Sequence, residues 1–426
     1  MLGIIFWNYE LGRRIGRNKK VEFSSKILWL GIGGNLAILT FFKILSAYGS
    51  AWSLPLFEDL GFPLGLSYIT FQAISYLIDI DKGRVPAEAN LLNFSLYIML
   101  FPKIIVGPIT RYSKIANQLP APDIHKEEIA AGIRRFIRGM AKKVLIADLL
   151  APFVNATFDL GAESIHTNIA WLALIAYALQ IYFDFSGYTD MALGLGQMMG
   201  FHFEENFNFP YISQSVSEFW RRWHISLSTW FRDYVFYPLE RRRIKILRNF
   251  RQPINIIIVF LLTGLWHGIE SKFIVWGALH GFFMALESLF LARFLHKIFR
   301  PLRHLYALTA ILLTWIIFRS PSLPFAWNFI LRLLGEYHGY TQPTFSQSTP
   351  LPFIEPSFLL ALICGVLLST PLFSYLNKKL STFLKPLPSG ELLIFIASDG
   401  ILFVLFIASL AMLANSQFAP GIYGGF

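Results

Sequence analysis

The chain reads as long apolar runs set between short polar connections, many of them basic. A helix needs about 20 mostly apolar residues to cross a bilayer. Runs of that kind fall at 27–48, 91–109, 168–186, 253–269, 272–294, 304–319, 356–376 and 392–414. Weaker or interrupted ones lie at 62–80, 144–160 and 187–201. By length they predict about eight to eleven membrane-embedded helices, in a single all-α membrane domain over residues 1–426 with no internal repeat. The opening "MLGIIFWNYELGRRIGRNKK" holds an apolar piece too short to span, followed by basic residues, the reverse of a secretory signal. One or more N-terminal helices are expected to be missing from this chain.

Three polar connections organise the pattern. Residues 110–143 contain a Pro-rich turn and then an amphipathic helix with Arg134, Arg135, Arg138, Lys142 and Lys143. Residues 240–251, "ERRRIKILRNFR", form a second basic cluster. Residues 335–356 are polar, proline-rich and nearly uncharged. Lysine and arginine near helix ends set orientation, so the two basic connections and Arg13 to Lys20 are expected in the cytoplasm, and 335–356 outside. A plain reading of the basic clusters is topology and lipid contact alone.

Composition agrees with a multi-pass membrane protein: 55% hydrophobic, 16% aromatic and 15% charged residues, where soluble domains carry closer to a quarter charged. The net charge of +11 would suggest nucleic acid in a soluble protein. Here it is assigned to basic loops and anionic lipid, and no nucleic-acid partner is expected. The single cysteine, Cys364, lies in an apolar run, so neither an intramolecular disulfide framework nor a cysteine-rich metal site is expected. No H-E-x-x-H spacing or phosphate-cradling loop occurs, and no metal site is predicted.

Candidate chemistry concentrates in 180–240, where Gly, Pro, Asn and charge interrupt the apolar pattern. Irregular backbone at membrane depth survives inside protein or beside a water-filled cavity. This stretch is therefore expected to fold inward as short, partly re-entrant helices around a pocket. Within it, "SEFWRRWHISLSTWFRD" has Trp220, His224, Leu227 and Phe231 at helical spacing on one apolar face, with Arg222, Ser226, Thr229 and Asp233 opposite. Asp184 and Asp190 in "FDFSGYTD" would cap short helices or pair with nearby arginines. Ser186 lacks the G-x-S-x-G elbow of a serine hydrolase. Further on, "GLWHG" places His267 at the end of an apolar run, and His280 follows in "WGALHG". A neutral imidazole in a semi-apolar pocket can take a proton from a hydroxyl nucleophile. That chemistry suits acyl transfer from a thioester or ester in a site closed to bulk water.

The segments "SYITFQAISYLIDIDKG", "FPKIIVGPITRY", "GMAKKVLIAD", "QIYFDFSGYTDMALGLGQMMGF", "ENFNFPYIS", "EFWRRWHISLSTWFRDYVFYPL" and "LLTGLWHG…FIVWGALHG" occur in this order. Together they resemble the membrane-bound O-acyltransferase family, and within it the bacterial branch that O-acetylates exported polysaccharides such as alginate. The best-matching core runs over about 60–285, with weaker likeness at "LLTWIIFRS" and "QFAPGIYGGF". The resemblance implies a ring of tilted transmembrane helices around a central funnel, in the bacterial cytoplasmic (inner) membrane. It implies His267 as the catalytic base, with His224 as a second essential residue. It also implies that Trp220, Trp223, Trp266, Asp184, Ser186 and Arg232 line the substrate tunnel. No bound cofactor is implied. The donor would be acetyl-CoA or another acyl thioester from the cytoplasm, and the acceptor an exported glycan, with an extracytoplasmic acetyltransferase as partner. One rival is D-alanyl transfer to teichoic acid by a related branch, which has Asn where this chain has Arg221. A rival of another class is a non-catalytic transporter or flippase, which suits broken helices and inward charges but has no need of His267 as a base.

Overall fold

The computed structural model describes residues 1–17, 21–48, 62–241, 250–337, 341–348, 354–386 and 389–415. Most of the basic run in 240–251, parts of 335–356 and the C-terminal "QFAPGIYGGF" lie outside the described residues. Among the described residues the regular structure is helical throughout, without strands. The principal helices are α1 Leu2–Arg17, α2 Val21–Tyr48, α3 Leu66–Asp81, α4 Leu91–Met99, α5 Lys126–Lys142, α6 Asp148–Asp159, α7 Thr167–Met198 and α8 Val216–Arg222. They continue with α9 Ile225–Phe231, α10 Arg251–His267, α11 Ser271–Leu286, α12 Arg300–Arg319, α13 Leu323–Leu333, α14 Pro356–Leu368, α15 Leu372–Leu384 and α16 Gly390–Asn415.

Among the described residues, five helical stretches are long and apolar enough to cross a membrane: Phe23–Ser46, Thr167–Met198, Ser271–Leu295, Arg300–Arg319 and Gly390–Asn415. The α14–α15 pair would make a sixth, bent by 69°. The run 356–376 is therefore not one straight span. Nor is 91–109, which stops at Met99 and resumes as a short turn over Phe101–Ile104. These findings define an all-α, multi-pass membrane protein.

Helix α7 corrects a larger expectation. Residues 168–186 and 187–201 were predicted as separate elements, the second folding inward, yet Thr167–Met198 is one helix of 32 residues. It is also the most enclosed of the candidate spans, 83% buried against 6% for Gly390–Asn415. Its glycines are crossing points. A Cβ on Gly187 would lie 2.8 Å from the Gly139 carbonyl oxygen, and one on Gly194 would lie 2.6 Å from that of Gly132, so α5 and α7 pack backbone to backbone.

The basic cluster on α5 also does more than set topology. Arg135 and Lys142 hold Asp190 at 2.9 and 2.6 Å, Lys143 holds Asp184 at 2.9 Å, and Arg134 reaches Asp399 of α16 at 2.8 Å. The two aspartates on α7 are thus paired with α5 and the residue that follows it, which compensates the cost of carboxylates in an apolar helix.

Helices α10 and α11 form a tight antiparallel hairpin. A Cβ on Gly264 would lie 2.3 Å from the Phe273 carbonyl oxygen, and one on Gly277 would lie 2.3 Å from that of Phe260. Gly277→Val should force the pair apart at a cost of about 1–3 kcal/mol, the usual range for overpacking. Lower yield of folded protein in mild detergent would register it; wild-type yield and melting temperature would contradict the close crossing.

Candidate active site

The α10–α11 hairpin ends where the opening chemistry was expected. His267 is the last helical residue of α10, followed by Gly268 in extended backbone, and its side chain is buried. Trp276 and His280, four residues apart on α11, face the same region. Helix α8 supplies Trp220, and α12 closes the far side with Trp315 and Phe318.

The rings form an alternating chain. His224 lies 6.3 Å from Trp266, Trp266 lies 4.7 Å from His267, and His267 lies 5.0 Å from Trp276 (all centroid to centroid). Trp276 continues to His280 at 4.8 Å and His280 to Trp220 at 5.1 Å. Trp266 therefore separates the two histidines singled out in the sequence. All three imidazoles are buried. Aromatic rings contribute shape and apolar bulk here, and they exclude water from the histidines.

The structure breaks the helix that the periodicity predicted across "SEFWRRWHISLSTWFRD". Helix α8 ends at Arg222 and α9 starts at Ile225, with His224 between them at φ 43°, ψ 55°. Such left-handed backbone costs a non-glycine residue roughly 1–3 kcal/mol and clusters at functional sites. The turn swings the His224 ring off the apolar stripe and against Phe185 of α7, 4.7 Å away. Trp223 packs nearby on Trp315 at 5.1 Å. The neighbouring polar network fixes the turn: the Asn206 carbonyl accepts from the Ile225 N–H at 3.0 Å.

Of the predicted site residues, His267, His224, Trp220, Trp223 and Trp266 come together. Asp184 is turned to Lys143. Ser186 is buried on α7 with no hydrogen-bond partner for its hydroxyl among the described residues. Arg232 stands apart: it is half exposed and pairs with Asp233 at 3.0 Å. Sequence reading missed Trp276, Trp315 and Phe318 of the ring wall, and two polar contributors. Lys43, one of two lysines inside the span Phe23–Ser46, donates to the His267 carbonyl oxygen at 3.4 Å; an ionisable residue in an apolar span was the available signal. Asn206, inside "ENFNFPYIS", bonds the His224 ring, and nothing in its spacing announced this.

Open space lies apart from this cluster. A cavity of about 400 Å³ is lined by Lys82, Arg84, Arg111 and Arg241, with Asp79 and Asp233 as the opposing charges. A second, of about 560 Å³, is lined by Arg13, Arg17 and Arg84, with Glu88 as the opposing charge. Sharing Arg84, the two open on one basic face. Burial, with Arg84 and Arg241 nearby, pushes the Lys82 ammonium below its ordinary pKa. Neither cavity touches the histidines, but Tyr234 on the wall of the first stacks toward them. It lies 5.3 Å from Trp230, which lies 4.2 Å from Phe71, itself 5.4 Å from Trp266.

A buried histidine–tryptophan cluster inside an all-α membrane domain defines a multi-pass membrane protein with a candidate proton-transfer site at its core. The chain belongs to the membrane-bound O-acyltransferase family, whose model matches residues 80–325. It is 41% identical over 335 residues to a probable alginate O-acetylase of Azotobacter vinelandii, covering 76% of this chain and 66% of the relative. It is 33% identical over 371 residues to a peptidoglycan O-acetyltransferase of Helicobacter pylori, covering 79% and 69%. A teichoic acid D-alanyltransferase of Bacillus subtilis matches at 34% over 238 residues, 53% of this chain and 59% of the relative. The chain spans about two thirds of the length of the curated alginate relatives it matches, 66% and 64% for two of them.

Proposed function

We propose that this chain is an O-acyltransferase of the bacterial cytoplasmic membrane. It takes an acyl group, acetyl in this reading, from a thioester on the cytoplasmic face and passes it toward hydroxyls of an exported polysaccharide. One observation carries the reading: His267 and His224 flank the same indole in a buried, ring-walled site within the family-matched segment.

The chemistry follows from that placement. His267 takes the proton of a hydroxyl as the oxygen attacks the thioester carbonyl. The tetrahedral intermediate expels the thiolate, and the imidazolium returns its proton to that sulfur. An ester forms, a carbon–sulfur bond breaks, and no electrons are exchanged. Enclosure by Trp266, Trp276 and Phe318 favours the hydroxyl over water as nucleophile.

The basic cavities support a donor with negative charge, such as acetyl-CoA, approaching from the cytoplasm. The acceptor lies on the opposite side, and a separate extracytoplasmic acetyltransferase completes delivery. The sequence coverage favours a glycan O-acetylase over a teichoic acid D-alanyltransferase: 76% of the chain aligns with the former and 53% with the latter. The test is complementation: a strain deleted for this gene should lose alkali-labile acetate on its exported polymer and regain it from the plasmid-borne gene. Unchanged acetate in the deletion would remove the proposal.

Orientation gives a separate check. Single cysteines at Arg17 and Arg241, which line the two basic cavities, should react with an impermeant maleimide in inside-out vesicles and stay unlabelled in intact cells. Labelling of either position from outside would reverse the proposed sidedness.

A further inference from the structure

We infer that Asn206 is a positioning residue: it holds the His224 ring with Nδ1 protonated, so that Nε2 presents a lone pair inside the site, across Trp266 from the His267 base. This rests on the acyl-transfer reading for the role of that lone pair, but the state of the ring follows from local chemistry.

Asn206 is buried, in the irregular stretch between α7 and α8. Its Oδ1 lies 3.1 Å from the Ser226 backbone nitrogen, 2.9 Å from Ser226 Oγ and 3.2 Å from His224 Nδ1. The backbone N–H of Ser226 can only donate, so the amide atom facing it is the oxygen and not the NH₂ group. Ser226 Oγ accepts from the Ile109 N–H at 3.1 Å, which leaves its own hydrogen for Asn206. His224 Nδ1 then faces an atom that offers lone pairs and no hydrogen, and must itself carry the proton. In a neutral imidazole the other nitrogen is then the acceptor. His224 Nε2 is buried and has no partner among the described residues.

His280 gives the contrast. Its Nδ1 accepts from the Trp220 indole N–H at 3.1 Å. Indole can only donate, so His280 is protonated on Nε2, the opposite tautomer. Two imidazoles of one ring chain are thus set to opposite capacities by different partners. At His224 the same asparagine also braces the left-handed turn, through its backbone carbonyl to the Ile225 N–H and its side chain to the Ser226 N–H. Ring orientation and tautomer therefore depend on one residue.

The experiment is nitrogen NMR on the full chain, ¹⁵N-labelled at histidine and purified in detergent, with the His224 signals identified by their loss in His224→Gln. Wild type should show a protonated Nδ1 and an unprotonated Nε2. Asn206→Asp offers the same acceptor and should keep that pattern, while Asn206→Leu should lose it. In cells, acetate on the exported polymer at matched membrane level should fall on the order of tenfold to a hundredfold with Asn206→Leu, the scale for losing an orienting partner, and less with Asn206→Asp. A protonated Nε2 in wild type overturns the inference even if Asn206→Leu fails to fold. So does an unchanged tautomer in folded Asn206→Leu. The spectra do not depend on turnover: failure of the acyltransferase reading would show as absent acetate transfer by wild type, with the tautomer as assigned.

Discussion

Glutamine in place of His267 is expected to leave no detectable acylation of the exported polymer, at membrane levels equal to wild type. A positioned general base contributes about a hundredfold to ten-thousandfold in rate, and glutamine is too weak a base to replace it. The substitution is a demanding one because glutamine keeps much of the volume and a hydrogen-bonding end. His267 is buried between Trp266 and Trp276, with Phe318 at 5.3 Å. If the imidazole merely tied α10 to its neighbours, glutamine would serve and His267→Ala would fail through loss of protein. The two accounts separate cleanly in acetate per polymer at matched protein amounts. Substantial acylation with His267→Gln would remove the base from the mechanism.

His224→Asn is expected to insert normally and to lose roughly a hundredfold in activity, the lower end for a proton-handling group. Asparagine is chosen because it tolerates left-handed backbone better than most residues, and His224 sits at φ 43°. Alanine there would combine loss of the ring with a strained backbone. With asparagine the turn between α8 and α9 is preserved, and the imidazole is the main thing lost. Activity per folded molecule near wild type would make His224 a packing residue against Phe185 and Trp266. A fall in activity matched by a fall in protein level would point the same way.

The fold class was legible because bilayer spans leave an unmistakable length and composition, as in Ser271–Leu295 and Gly390–Asn415. Helix α7 was misread because its breakers are answered from elsewhere in the fold. Gly187 and Gly194 meet Gly139 and Gly132 of α5, and Asp184 and Asp190 meet Lys143, Arg135 and Lys142. Local propensity reports a cost, and tertiary pairing that offsets it is invisible along the chain. The break at His224 failed in the other direction. Helical periodicity continues through Trp220, His224, Leu227 and Phe231, and a single left-handed residue leaves no trace in it. The histidines and Trp220 were named because ionisable and aromatic residues in an apolar stretch stand out; Trp223 and Trp266 came with the family resemblance, and Trp276 and Trp315 join the site only through the packing of α11 and α12. Asn206 did not stand out: one of two asparagines in "ENFNFPYIS", it acquires its role only when the chain returns at Ser226.

The central claim is thioester-to-hydroxyl transfer across the membrane through His267. Inside-out vesicles from cells making the polysaccharide place the cytoplasmic face outward and the polymer in the lumen. Radiolabelled acetyl-CoA added outside should, with wild-type protein, deposit label on luminal polymer that mild alkali releases as acetate. Vesicles carrying His267→Gln at the same protein level should deposit none. Equal label with both proteins, or none with wild type, would contradict the account.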